Sequence, residues 1–327
     1  MNVASPVNGV HETELLISAG ASELYCGYLP RYWIRKYTPV GSLNRREWAD
    51  ANLKDISELE EIVGIAHDFG VTVSLGLNAQ YYSEKQVPDL RRYVDETLSA
   101  GVDSYLVSDI GLLRLLREDY EDVALHLSSV AHVYNSLAAG FYERMGVRRI
   151  ILPRHLTVDE IKKVVKGKSK VEFEAFILYN RCANCDGLCT FQHGSEEYGL
   201  GANACSLDYK IIPVPPSSRV SSNIEYYAKS CLSPQGFMDN IAFQCGLCAL
   251  YEFKRLGLHS VKIIGRSKPL WMKLLGVRLT SFLIGFLDEN PTKSEFTDTV
   301  KGIVEYDLMG GRIRTCTQYN CYYPEML

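Results

Sequence analysis

The chain has 327 residues, 46% of them hydrophobic, which is enough apolar material for one large α/β domain or two ordinary ones. A formal net charge of −4 and a pI near 6.0 give no basic excess of the kind a dedicated nucleic-acid-binding surface carries, although a local groove could still be positive. The opening residues show no basic and apolar leader pattern, and no run reaches the roughly 18 uninterrupted apolar residues of a membrane span, so a soluble cytoplasmic protein without a membrane partner is expected.

Apolar, β-branched runs alternate with helical patterns along the chain. Strands are predicted at residues 2–6, 23–28, 71–78, 102–108, 123–128, 148–153, 170–178 and 260–265. Between them lie amphipathic segments such as 55–69, 86–100 and 157–165, with Gly70, Gly101 or Gly146 near the junction to the next strand. Eight strand–helix units with short connections predict parallel pairing and a closed (β/α)8 TIM-like barrel over residues 1–266. An open doubly wound sheet is the alternative.

Three segments break this rhythm, and in a barrel the loops that follow strands are where function collects. Residues 29–54 interleave Arg31, Arg35, Lys36, Arg45 and Arg46 with Tyr32, Trp33, Tyr37 and Trp48, which reads as a solvated lid or as the lining of an anion or aromatic-ligand site. Residues 179–245 form a cysteine-rich insertion after strand seven, and a segment this long is functional or an inserted subdomain. The extension 267–327 is predicted to pack on the barrel, with a hydrophobic helix over 271–287 and a final Cys316-x4-Cys321 pair.

All ten cysteines are expected to be reduced in the cytoplasm, so metal ligation or thiol chemistry outranks disulfide bonding. The spacing Cys182-x6-Cys189-x15-Cys205-x39-Cys245 could supply four soft thiolates to one [4Fe–4S] cluster. A zinc site built from four cysteines competes, because Cys182/Cys185 and Cys245/Cys248 are local Cys-x2-Cys pairs, and buried free thiols are the third reading. Cys185, Cys231, Cys248, Cys316 and Cys321 could provide a second cluster or a zinc site. Cys26 lies within a strand, where core packing competes with a place at the barrel mouth.

The segment His126-Leu-Ser-Ser-Val-Ala-His-Val-Tyr-Asn135, followed by Met145-Gly-Val-Arg-Arg-Ile-Ile-Leu-Pro-Arg-His-Leu-Thr-Val-Asp-Glu-Ile161, resembles the U32 peptidase-like family. Gly257-Leu-His-Ser-Val-Lys-Ile-Ile-Gly-Arg266 is similar to that family's Gly-Val-x-x-x-Lys-Ile-Glu-Gly-Arg signature, and the cysteine ladder matches as well. The resemblance covers roughly residues 1–270. It implies a barrel with a [4Fe–4S] cluster on Cys182, Cys189, Cys205 and Cys245. It also implies oxygen-independent hydroxylation of a transfer-RNA, ribosomal-RNA or quinone-precursor acceptor, with prephenate as hydroxyl donor in some members. No Gly-x-Ser-x-Gly elbow and no His-Glu-x-x-His motif supports peptidase chemistry.

Two departures remove acids near the expected site: Ile264 replaces the signature Glu, and His155 stands where the family often has Glu after Arg154. They raise the alternative of a non-catalytic, electron-transferring subunit beside a homologous partner. Arg154, Lys262 and Arg266, near strand ends, could grip a dicarboxylate, since guanidinium pairs bidentately and ammonium supplies a point charge. Their rival role is ion pairing within the barrel rim. His126 and His132 could act as proton donors or be ordinary hydrogen-bonded histidines. Asn78, Ser108, Asp109, Ser128 and Ser129 lie near the same strand ends.

Overall fold

The computed structural model describes residues 1–37, 43–45, 51–167, 170–179, 185–188, 244–305, 316 and 321–327. Eight parallel strands close into a barrel in chain order: β1 (Asn2–Pro6), β2 (Glu23–Cys26), β3 (Thr72–Leu77), β4 (Ser104–Val107), β5 (Ala124–Leu127), β6 (Arg149–Ile151), β7 (Glu172–Leu178) and β8 (Ser260–Ile263). β8 returns to β1 with Asn2 opposite Ser260. No strand edge is left open, which removes the hazard of an exposed ladder.

The expected strands are present, several of them shortened at their ends. Residues 23–28 give only Glu23–Cys26 in the ladder, because Tyr28 leaves it to bridge Leu53. The sixth strand stops at Ile151, two residues before Pro153, which has no N–H to donate. Leu24, Val73, Leu75, Val107, Leu125, Ile150, Ile177 and Val261 are fully buried, as strands covered on both faces require.

Helices Val10–Ser18, Ile56–Asp68, Val87–Ser99, Ile110–Asp119, Ser136–Arg144, Val158–Val165 and Leu250–Leu256 occupy the connections. Their starts follow local chemistry. The Asp109 and Asn135 side chains accept from the Leu112 and Ala138 amides, and Thr157 with Glu160 forms a reciprocal capping box.

The lid expected after β2 contains the helix Arg31–Tyr37. Its Trp33 is 1% exposed, packed against the Tyr37 and Tyr82 rings, so this aromatic belongs to the core and lines no open ligand site. Lys36 is spent on Asp89 at 2.6 Å. Arg46 and Trp48 lie outside the described residues.

In the extension, helix Leu270–Asp288 packs on β1, β8 and helix Val10–Ser18 through a face that includes Met272, Val277 and Leu283. By length and a mean hydropathy of 1.5 it is the one described helix that could cross a membrane. Lys273, fully buried in it, pairs with Glu12 on the barrel at 2.7 Å, so this face of the helix is docked on protein.

Candidate functional site

The barrel interior is charged. Arg149 from β6 reaches Glu23 on β2, with Nη2 to Oε1 at 2.9 Å, and Glu174 on β7 at 3.2 Å, while its Nε donates to Glu172 at 2.9 Å. Lys262 on β8 donates to Glu174 at 2.9 Å and lies 3.9 Å from the Tyr25 ring centroid. Glu23, Glu174, Arg149 and Lys262 are all buried, two anions against two cations. Burial alone would raise the Glu23 carboxyl; hydrogen bonds from His259 and Arg149 outweigh it and hold the carboxyl well below its ordinary range.

His126 faces this network. It is buried beside Ser104 at 3.5 Å, and burial together with the Arg149 charge brings its pKa down to about 3. A neutral imidazole follows at physiological pH, and the same burial and charge make it a weak proton acceptor.

Above the network, at the C-terminal ends of the strands, Arg266 spans the mouth. Its Nη2 donates to Asn44 Oδ1 at 2.9 Å, and Asn44 Nδ2 in turn donates to Asn52 Oδ1 at 2.9 Å. Arg266 Nη1 is buried and has no hydrogen-bond partner among the described residues. The guanidinium fits because the residue after β2 is glycine: a Cβ on Gly27 would stand 1.8 Å from Nη1. Cys26, buried beneath, has its thiol pushed up to about 12 by burial, against the opposing Arg266 charge. It therefore stays a neutral core thiol.

Asn78 Nδ2 donates to Ser128 Oγ at 3.1 Å, and Asn78 Oδ1 accepts from the Arg45 amide at 3.3 Å, so these polar groups brace the same rim. Ser108 donates to the Ala79 carbonyl at 2.5 Å, and Ser129 is buried in the turn before His132, whose backbone is left-handed at φ 64°. Asp109 is spent on its helix cap.

Arg154 has a different setting from Arg266. Asp186 takes it through Nε at 3.0 Å and Nη2 at 2.5 Å, and also accepts from its amide at 2.9 Å. Burial would raise the Asp186 carboxyl, and the Arg154 charge and hydrogen bonds bring it below the usual range. His155 stands 3.2 Å from Cys185 Sγ and beside the Tyr134 ring. Ile264 is buried where the signature carboxylate would stand, with its amide on the Leu178 carbonyl.

Of the four cysteines that the resemblance assigns to a cluster, Cys182, Cys189 and Cys205 lie outside the described residues, as does Cys231. Cys245 bridges Leu178 of β7 on one side and Cys321 on the other. It shares one cavity with Cys248, Cys316 and Cys321. The donors around Cys245 are soft sulfurs, which suit zinc or iron–sulfur and not a hard cation. They are, however, not the partners assigned to it by resemblance. Among the described residues no three His, Cys, Asp or Glu side chains close around a common point.

Asn44, Asn52 and Gly27 at the mouth, and Glu23, Arg149 and Glu174 below it, escaped the sequence reading. For the charged three a signal existed: an ionisable residue inside a strand buried on both faces must point into the barrel and meet a partner.

A family model described as Peptidase family U32 matches residues 8–300. A tRNA hydroxylation protein P of Haemophilus influenzae is 28% identical over 216 residues, which are 63% of this chain and 43% of that protein. An uncharacterized protease of Methanocaldococcus jannaschii is 32% identical over 224 residues, 65% of this chain and 50% of that protein. A 23S rRNA 5-hydroxycytidine synthase of Escherichia coli is 28% identical over 249 residues, 75% of this chain and 35% of that protein. The chain thus spans half or less of the length of these relatives. With the family match running from β2 through β8 and into the C-terminal extension, the chain belongs to peptidase family U32.

Proposed function

We propose that the protein performs an oxygen-independent hydroxylation or related redox modification, with a carboxylate-bearing co-substrate held at the barrel mouth by Arg266. The observation that carries this reading is the buried Arg266 guanidinium, whose Nη1 has no partner among the described residues. A buried charged donor left unpaired is costly, and a carboxylate relieves that cost. Arg154 and Lys262 serve less well as grips, because Asp186 and Glu174 already neutralise them.

Prephenate, which carries two carboxylates and a hydroxyl, is the proposed donor. The acceptor C–H becomes C–OH, a two-electron oxidation. The donor gives up its hydroxyl and takes the electron pair and the proton of the acceptor's C–H bond, so that a C–O bond breaks in the donor and forms in the acceptor while a C–H bond breaks in the acceptor and forms in the donor. An RNA pyrimidine is the proposed acceptor class, from the names of the relatives. The proposed cofactor is an iron–sulfur cluster on thiolates of the cysteine-rich segment, which would supply electron transfer. Around it, the chain's own groups have defined tasks: Arg266 orients the donor, and Asn44 and Asn52 hold Arg266.

Anaerobic calorimetry with prephenate tests the reading on wild type and Arg266→Gln. Loss of a charged hydrogen bond, about 1.5–3 kcal/mol, predicts roughly 10- to 150-fold weaker binding. Equal affinities would refute it. Mass spectrometry of RNA nucleosides for one added oxygen then tests the acceptor. A second reading, an electron-transferring subunit of a heteromeric complex, is favoured by Ile264 and would show as co-purification with a homologous chain and no turnover alone.

A further inference from the structure

Residues 185–188 form a turn beside the end of β6, in which the Leu188 amide donates to the Cys185 carbonyl at 3.1 Å. The turn is fixed from three sides. Arg154 holds the Asp186 carboxylate, the Tyr134 hydroxyl donates to the Asp186 carbonyl, and Gly187, at φ 87°, passes so close to the loop after β5 that a Cβ there would stand 2.9 Å from the Val130 carbonyl. The Cys185 side chain is left exposed, with its Sγ 3.2 Å from His155 Nε2. The Asp186 amide approaches His155 Nδ1 at 3.4 Å, which assigns Nδ1 as an acceptor and puts the proton of the neutral ring on Nε2, facing the sulfur. His155 therefore stabilises a Cys185 thiolate by donating to it, and the thiol proton leaves to water. The glutamate that the family often has at this position would oppose that charge. The pair shares the mouth with Arg266: Asp186 lies within electrostatic reach of Arg45, and the adjacent Asn44 accepts from Arg266, whose buried Nη1 has no partner among the described residues.

We propose that Cys185 is a catalytic nucleophile that adds to C6 of the acceptor pyrimidine, with His155 donating to its thiolate, and so activates C5 for hydroxylation. The inference rests on the RNA-pyrimidine acceptor proposed above. In the addition the thiolate pair forms the S–C6 bond, and the C5=C6 π pair moves onto C5, delocalised toward C4. That pair forms the C5–O bond to the incoming hydroxyl, while the donor keeps the pair of its broken C–O bond and takes a proton. H5 then leaves as a proton, its bonding pair restores C5=C6, and the C6–S pair departs with the sulfur, so the thiolate is regenerated. Leu188, exposed in the same turn, offers apolar surface to the ring. Addition and elimination at sulfur are redox-neutral, and they ask nothing of Cys182, Cys189, Cys205 and Cys245, which stay with the cluster that the resemblance gives them.

Two readouts on anaerobically purified full-length protein test this, in wild type, Cys185→Ala and His155→Phe. Alkylation of Cys185 by iodoacetamide, followed by peptide mass spectrometry, is expected to slow at least about 10-fold in His155→Phe, the size of one hydrogen bond to a charged group. Equal rates would overturn the pairing. The second readout uses total RNA from cells lacking the gene, incubated in deuterium oxide without prephenate. Wild type is expected to exchange H5 for deuterium at the nucleotide that gains an oxygen once prephenate is added. Cys185→Ala is expected to lose both the exchange and the oxygen while keeping wild-type iron, acid-labile sulfide and prephenate affinity. Oxygen gained by Cys185→Ala at the wild-type rate, or gained by wild type with no exchange, would refute the nucleophile. Iron and sulfide lost from Cys185→Ala would make Cys185 a cluster ligand and overturn the proposal. No oxygen gained by wild type on any RNA would refute the acceptor reading itself, and the addition with it.

Discussion

Replacing Arg149 by methionine keeps most of the aliphatic length of the side chain and removes the charge on which the barrel interior balances. Three carboxylates lose a partner at once: Glu23, Glu172 and Glu174. Glu174 keeps Lys262 at 2.9 Å, and Glu172 is partly solvated, so the loss falls mainly on Glu23, which retains only Asn2 at 2.8 Å and His259 at 3.4 Å. Breaking a buried ion pair from one side costs about 3–5 kcal/mol, a large share of a typical domain stability of about 5–15 kcal/mol. Urea midpoints at pH 7, followed by far-ultraviolet circular dichroism, measure the loss. Adding Glu23→Gln to Arg149→Met removes the stranded charge and is expected to recover at least about 1 kcal/mol.

The same experiment has a pH dependence of known sign. Hydrogen bonds and charge hold Glu23 below its ordinary value against burial, so its contribution is present above the unfolded carboxyl value of about 4.3 and is lost as pH falls below it. The gap between wild type and Arg149→Met is therefore widest near neutrality and narrows in acid. A single variant within about 0.5 kcal/mol of wild type at pH 7 would refute the reasoning, because that is the scale of a substitution away from any buried charge.

His126 has a folded pKa of about 3 against about 6.5 unfolded, so its contribution is lost as pH falls from 6.5 toward 3. His126→Gln is expected to flatten the thermal-midpoint profile in that window; profiles parallel to wild type would argue that His126 is not buried neutral. Gly27→Ala places a Cβ 1.8 Å from Arg266 Nη1 and 2.4 Å from Asn52 Oδ1, so it is expected to weaken prephenate binding as Arg266→Gln does and to cost about 1–3 kcal/mol by overpacking. Unchanged binding would place Arg266 away from the donor. Thr157→Ala removes the hydroxyl that accepts from the Glu160 amide, leaving the residue-157 amide on the Glu160 carboxylate, and is expected to cost about 1 kcal/mol by urea midpoint.

The barrel was legible because its strands, covered on both faces, read as near-continuous apolar runs separated by helical periods. The site was legible only in part, for a physical reason that the three strand-end cations illustrate. Arg154, Lys262 and Arg266 are equal candidates as letters in a sequence. Barrel closure separates them: Lys262 meets Glu174 from 88 residues away and Arg154 meets Asp186 from 32, whereas Arg266 finds the uncharged Asn44 across 222 residues. Spacing marks a charged residue as out of place within an apolar strand; only the register of distant strands decides whether an opposite charge waits there. Trp33 makes the complementary case. Its place among cations suggested a ligand-facing aromatic, yet the Arg31–Tyr37 helix turns it against Tyr37 and Tyr82 in the core. The cysteines follow the same logic. Cys245-x2-Cys248 and Cys316-x4-Cys321 are visible as pairs, but their meeting depends on the tail tyrosines reaching the carbonyls at the end of β7. Local spacing is thus informative about chemistry and silent about partners, and in this barrel the partners determine which cation is left for a ligand.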